Sequence, residues 1–366
     1  MHELERDILN IDSNVIDIKK FEKLISNNDQ GYKFYWLESL MRLIPSDKEY
    51  FTFEEIIDEM IWGAWRSVTY YHLRLGHTVN GKPVNFLEHA VLELNKCIEK
   101  DNKELLNQNL SKNKIQALIK EYDAFILVDK MQLTDYVPYR IIKPFVDKEG
   151  KAFIDKKQYG KLILYLNDED ACNQDWFYRI IDADTILHRK VILNEKWRAF
   201  MLSNYAVIMG WIQYNKAHFI QDRNPEANRV IDKVSPESEE TRQSLENARN
   251  LWLYLEYITG NPLREIYSGK VIPNEKFELD HFIPWSFIKD DNLWNLVLTC
   301  PNCNRRKSDR LPSLVYLNKL QTRNTQLMSY CSHSDFRNYN EEKLNNIYKW
   351  ALINGYKDIW KPTNSV

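Results

Sequence analysis

A chain of 366 residues is long enough for one large or two modest domains, so core size does not limit it. Apolar residues make up 44% and charged residues 28%, the balance of a folded globular protein and not of a disordered one. Lys and Arg number 50 against 52 Asp and Glu; the net charge of -2 excludes a broadly basic coat, so nucleic acid can be met only through a local patch.

Glycine is scarce at 10 residues while Tyr reaches 21 and Trp 11, which disfavours turn-dense all-β folds and glycine-rich phosphate loops. Neither GxGxxG nor GxxxxGK followed by Ser or Thr occurs. The opening residues, Met1-His2-Glu3-Leu4-Glu5-Arg6-Asp7, lack the basic and then apolar pattern of a secretory signal. The longest charge-free run, Ala199 to Asn215, carries Ser203, Asn204, Gln213 and Asn215 and reads as a buried helix, not a membrane span. Five Cys, an odd count, fit a reducing compartment better than a disulfide scaffold, so a cytoplasmic protein with no membrane partner is expected.

Helical patterns dominate the first two thirds. The spacing predicts helices over Tyr32 to Leu43, Phe86 to Ile98, Ile115 to Tyr122 and Trp197 to Ile220. Thr52-Phe53-Glu54-Glu55 is a capping-box signature, and Phe53, Ile56, Ile57, Met60, Ile61, Ala64, Trp65 and Val68 then follow helical spacing, with Gly76 as the expected stop. The aromatic clusters Tyr32 to Trp36 and Trp62 to Tyr71 sit at helical spacing and read as core, not as base-stacking platforms. Between about Tyr136 and Leu193 the texture changes. Val137-Pro138, Lys143-Pro144, Lys161 to Tyr165 and Lys190 to Leu193 look like short strands in a small mixed insertion. Gln221 to Val234 reads as a connector, and Ser235-Pro236-Glu237 as the start of a helix with Leu245, Ala248, Leu251, Trp252, Leu255 and Ile258 on its buried stripe and Gly260 as its end.

The chemistry is concentrated from Tyr267 to Ser313. Tyr267-Ser268-Gly269-Lys270 is followed by Glu278-Leu279-Asp280-His281-Phe282-Ile283-Pro284-Trp285-Ser286-Phe287, by Asn295-Leu296-Val297-Leu298-Thr299-Cys300, and by Cys303-Asn304-Arg305-Arg306-Lys307-Ser308-Asp309. This order resembles the HNH, or ββα-metal, endonuclease family, and especially the HNH domain of RNA-guided CRISPR effector nucleases. The resemblance reaches into Ser286-Phe287-Ile288-Lys289-Asp290-Asp291 and covers only this stretch. It implies a hairpin packed on a short helix with a metal between them, Asp280 pointing toward the helix that carries Asn304, and His281 presenting its ring to a scissile phosphate. It also implies that Asn295 holds the hairpin loop and orients the base. Size and context are similar to bacterial restriction and anti-phage nucleases.

The residue types agree with phosphodiester hydrolysis, which needs an activated water, a cation and groups that fix the phosphate. An imidazole, with an ordinary pKa of ~6.5, can accept a water proton near neutral pH, so His281 is the candidate base. Asp280 and Asn304 offer hard oxygens suited to Mg²⁺ or Mn²⁺. Consecutive strand residues face opposite ways, so the strand must bend or end at Asp280-His281. On a helix from about Pro301 to Ser308, Asn304 and Lys307 share a face, which would let Lys307 reach a phosphate. Arg305, Arg306, Lys307 and Arg310 form the expected DNA-contacting patch. Cys300 and Cys303 make half of a structural Zn²⁺ site, with Cys331 and His333 as weak candidates to complete it; without a second pair, packing is the favoured role.

The expected fold is therefore mostly α (α+β). A helical recognition or regulatory region occupies residues 1–234, with the short-strand insertion at 136–193. A nuclease domain with its leading helix occupies 235–320, and a helical tail 321–366. The expected function is metal-dependent DNA hydrolysis in a protein that self-associates or binds a partner protein. RNA or structured-DNA cleavage, and a non-catalytic nucleic-acid-binding role, are the alternatives.

Overall fold

The computed structural model describes residues 16–26, 28–79, 82–101, 110–168, 175–236, 244–274, 276–330, 333–336 and 339–362. The chain divides into two compact units, Met1–Pro225 with Val230–Ser238, and Glu226–Arg229 with Glu239–Val366. The first is mostly helical and the second about half helical, each with small sheets. No helix among the described residues is long and apolar enough to cross a membrane.

In the first unit, local signals set the helix starts. The helix Phe53–Thr69 begins with a complete capping box: Glu55 donates its N–H to the Thr52 hydroxyl at 3.1 Å, and the Glu55 carboxylate accepts from the Thr52 N–H at 2.9 Å. It ends at Thr69 and does not reach Gly76. His72 takes the left-handed conformation at φ 52°, and the N–H groups of Tyr71 and Leu73 fold back onto the carbonyls of Arg66 and Ser67. Helices Tyr32–Leu43, Phe86–Asp101 and Lys112–Glu121 lie where the spacing predicts them. The long helix expected from Trp197 to Ile220 is two, Glu195–Ser203 and Tyr205–Gln221. Asn204 between them leaves helical geometry and bonds its own side-chain amide to the Phe200 carbonyl at 2.9 Å, a local bond that competes with the backbone ladder.

The predicted insertion strands are largely corrected. Val137–Arg140 is a helical turn, which tolerates Pro138 in its first positions; Lys143–Phe145 is a 3-10 turn, and Tyr159–Leu166 is a helix. In that last segment Leu162, Ile163 and Leu166 are buried while Leu164 is 74% exposed, a period that no strand produces. Lys190–Leu193 is a strand, in the middle of an antiparallel three-stranded sheet between Phe51–Thr52 and Tyr178–Ile181.

The core of this unit is aromatic, with Trp36, Phe53, Phe177 and Trp197 buried, and Tyr35, Trp62 and Trp65 of the two aromatic clusters are buried too. Inside it lies a charged group: Glu38 receives the Lys216 ammonium at 2.5 Å and the Arg42 guanidinium at 2.7 Å. Such a group tolerates loss of one member poorly, because the partner charges stay buried. Glu38→Ala is expected to cost about 3–5 kcal/mol. Urea unfolding followed by tryptophan fluorescence measures it.

The second unit centres on an antiparallel hairpin, Glu278–His281 paired with Leu296–Thr299, in the register Asp280 to Val297 and His281 to Leu296. The helix expected from Ser235 begins at Glu246 and is closed by Gly260, left-handed at φ 67°; residues 237–243, including Glu237, lie outside the described residues. Helix Leu314–Tyr330 crosses the expected boundary at residue 320. Its Leu317 and Leu320 share one core with Leu296, Val297, Leu344 and Tyr348. The tail therefore packs with the hairpin in this unit.

Candidate active site

The strand Glu278–His281 carries the site on two faces. Side chains two apart point the same way, so Glu278 and Asp280 share a side and His281 takes the other. The side of Glu278 and Asp280 meets the helix Pro301–Lys307. Asn304 donates its amide to Glu278 at 2.8 Å. Lys307 donates its ammonium to Asp280 at 3.2 Å and to the carbonyl of His281 at 2.8 Å. Asp280 also accepts the Tyr267 hydroxyl at 3.2 Å. Burial, and then Asp280 itself, push the Tyr267 pKa well above its ordinary value, so it stays a donor.

His281 occupies the other side at the strand's last position. Its Nε2 lies 2.7 Å from Asp291, in the loop before the second hairpin strand. The strand ends at His281, and Asn295 fixes the bend that follows. Its side chain accepts the Ile283 N–H and donates to the Ile283 carbonyl, both at 2.9 Å, while its carbonyl accepts the Phe282 N–H at 2.9 Å. Full burial of Asn295 makes these bonds obligatory.

The helix Pro301–Lys307 is set by its ends. Pro301 takes the first turn, where its missing N–H costs nothing, and Ser308, at a positive φ of 49°, stops it. Asn304 and Lys307 lie one turn apart as expected, but Lys307 is 1% exposed. Its ammonium braces Asp280 and the strand end and does not stand free for a phosphate. Arg305 and Arg306 are exposed. Arg310 is committed to the helix end, donating to the carbonyls of Lys307 and Arg306 and pairing with Asp358 at 3.5 Å.

Two neighbours were missed in the sequence. Glu278 could have been found, since it lies two residues before Asp280 on one strand face; Asp291 could not, because only the loop's path brings it to the ring. A cleft of about 340 Å³ opens beside Glu278 and Asn304, lined also by Leu245, Glu246, Arg249 and Leu279. Glu278, Asp280 and Asn304 carry hard oxygens of the type that a divalent cation takes: the two carboxylates stand on one strand face, Asp280 bonded to Tyr267 and Lys307, and the Asn304 side-chain oxygen has no partner among the described residues.

Cys300 and Cys303 gain an unforeseen neighbour. With Glu265 they place three ligand atoms within 4.8 Å of one another, a set that could hold a metal ion. Glu265 accepts from the Ser268 hydroxyl, the Cys300 N–H at 3.3 Å and the Thr299 hydroxyl at 3.4 Å. Burial raises its pKa, but hydrogen bonds from Ser268, Cys303 and Cys300 outweigh burial and hold the carboxyl below its ordinary value. Burial and then Glu265 push the Cys303 thiol up. Cys331 lies outside the described residues, and His333 pairs with Asp335 at 3.2 Å.

Asn295→Ala leaves a buried N–H and carbonyl of Ile283 without partners and is expected to destabilise this unit by about 1–3 kcal/mol per orphaned group. Denaturant titration read at Trp294, its neighbour in the chain, measures the loss.

Comparison with known proteins falls on this same hairpin and helix. Residues 265–313 match the model of the HNH endonuclease family. A stretch of 80 residues is 35% identical to the CRISPR-associated endonuclease Cas9 of Streptococcus mutans, covering 21% of this chain and 6% of that protein. A stretch of 74 residues is 36% identical to Cas9 of Listeria innocua, covering 19% of this chain and 5% of the relative. The chain thus spans only a small part of the length of these relatives. No solved structure matches significantly. The segment from residue 265 to residue 313, an antiparallel hairpin packed on a short helix, is an HNH endonuclease domain carried in a larger, mostly helical chain.

Proposed function

We propose that this protein is a metal-dependent endonuclease that hydrolyses DNA phosphodiester bonds, acting in the cytoplasm in restriction or anti-phage defence. The observation that carries the reading is the division of labour at the strand end. Oxygen donors Glu278, Asp280 and Asn304 gather on one side, and the base candidate His281 stands on the other.

In this reading Asp280 and Asn304 hold Mg²⁺ or Mn²⁺, which when bound neutralises charge developing on the phosphate. His281 takes a proton from the attacking water, and Asn295 holds the bend that presents its ring. Lys307 acts from beneath, keeping Asp280 in place, while the exposed Arg305 and Arg306 meet the DNA backbone. The first unit supplies recognition, of a DNA site or of a partner. One site with one base hydrolyses one strand per engagement, so cutting both strands calls for self-association or a partner protein. The net charge of -2 agrees, because free roaming on DNA draws on a broadly basic surface.

The purified chain is expected to cleave plasmid DNA only with Mg²⁺ or Mn²⁺, and His281→Ala to lose at least ~10²-fold in rate, the low end for a general base. Parallel digestion of duplex DNA, single-stranded DNA and RNA assigns the substrate. Cleavage of RNA alone replaces DNA in this reading, and no cleavage of any of them favours a non-catalytic binding role. Asp280→Ala is expected to weaken Mn²⁺ binding in calorimetry while leaving DNA affinity largely intact. Unchanged metal affinity in that variant would remove Asp280 from the ligand set.

A further inference from the structure

The imidazole of His281 has two nitrogens with different surroundings. Nε2 lies 2.7 Å from the Asp291 carboxylate, and Nδ1 has no hydrogen-bond partner among the described residues. A separation that short between a ring nitrogen and a carboxylate oxygen requires a proton between them. In that pair the ring N–H is the donor and the carboxylate oxygen the acceptor. The neutral ring is then protonated at Nε2 and carries its lone pair on Nδ1.

The loop that carries Asp291 is tied down on both sides. The carbonyl of Lys289, which is left-handed at φ 54°, accepts the Arg229 guanidinium at 2.9 Å. The carbonyl of Asn292 accepts the Asn295 N–H at 2.9 Å, and the Leu293 N–H donates to Asp335 at 2.8 Å. The adjacent Asp290 turns its carboxylate to the Asn292 amide and makes no bond to the ring. Of the two neighbouring acids, the fold directs only Asp291 to His281.

We propose that Asp291 is the positioning residue of the site: by accepting Nε2–H it fixes the ring orientation and the tautomer, and so makes Nδ1 of His281 the atom that takes the water's proton. This inference rests on the nuclease reading above. In the step it describes, one O–H bond of water breaks and one Nδ1–H bond forms. The imidazolium that results is compensated by the carboxylate already bonded to Nε2. Asp291 gives up no proton and touches neither water nor phosphate.

The experiment uses the full chain with ¹⁵N-labelled histidine, without added metal, at about pH 9, above the ordinary imidazole range. The ring signals of His281 are assigned by their loss in His281→Gln. The wild type is expected to show the Nε2–H tautomer. Asp291→Ala is expected to give a mixture of tautomers, and the isosteric Asp291→Asn, whose amide can donate to Nε2, a shift toward Nδ1–H. In single-turnover DNA cleavage both variants are expected to lose about 10- to 100-fold in rate, the usual cost of removing a group that orients a functional histidine, with the DNA concentration for half-maximal rate unchanged. Asp290→Ala removes the same charge from the same loop and is expected to keep both tautomer and rate. An Nδ1–H tautomer in the wild type, a tautomer unmoved by Asp291→Asn, or full activity of Asp291→Ala overturns the proposal. Failure of the nuclease reading looks different: the ring still responds to Asp291, and the wild type cleaves nothing.

Discussion

One buried ammonium holds the active end of this molecule together. Lys307 bonds Asp280, the carbonyl of His281 and, at 3.4 Å, the carbonyl of Ser308. A lysine charge removed from water is costly unless its donors are met, and these oxygens meet them. The strand end that carries Asp280 and His281 is thereby fastened to the C-terminal end of the helix that carries Asn304. Everything proposed for catalysis depends on that spacing.

Around this fastening, pleat and bend sort the side chains. Strand alternation puts Glu278 and Asp280 against the helix and His281 away from it, while Asn295 makes the chain turn at Phe282 and Ile283. The acidic oxygens and the imidazole ring are thus held apart without a long loop. Each is braced by a partner: the buried Tyr267 and Lys307 for Asp280, the half-buried Asp291 for His281. Groups held before the reaction need not reorganise during it, and fixed dipoles contribute most to catalysis under that condition.

The first unit follows a different logic. Its core is aromatic, its helix starts are set by caps, and the Glu38, Arg42 and Lys216 group lies within it. A buried charge group adds little net stability but penalises packings that leave a charge alone. Helix ends obeyed tertiary demands. His72 closes a helix with no glycine, and Asn204 breaks another by bonding its own turn. Short apolar runs such as Leu162 to Leu166 carry no period long enough to separate strand from helix, so only the surfaces they meet settle them.

What the sequence determined by itself was the HNH segment and the local starts. The order Asp280-His281, Asn295 and Asn304 with Lys307 names an HNH site, and Thr52 with Glu55 names a helix start, because both signals span residues close in the chain. The folded structure decided which partner each group meets. It turned Lys307 inward to Asp280, tied Arg310 to its own helix end, brought Glu265 across to Cys300 and Cys303, and delivered Asp291 to His281. Those pairings join separate segments or depend on where a long side chain finds room. Residue type and spacing fix what a side chain can bond; only the path of the loops and the burial of each group fix what it does bond.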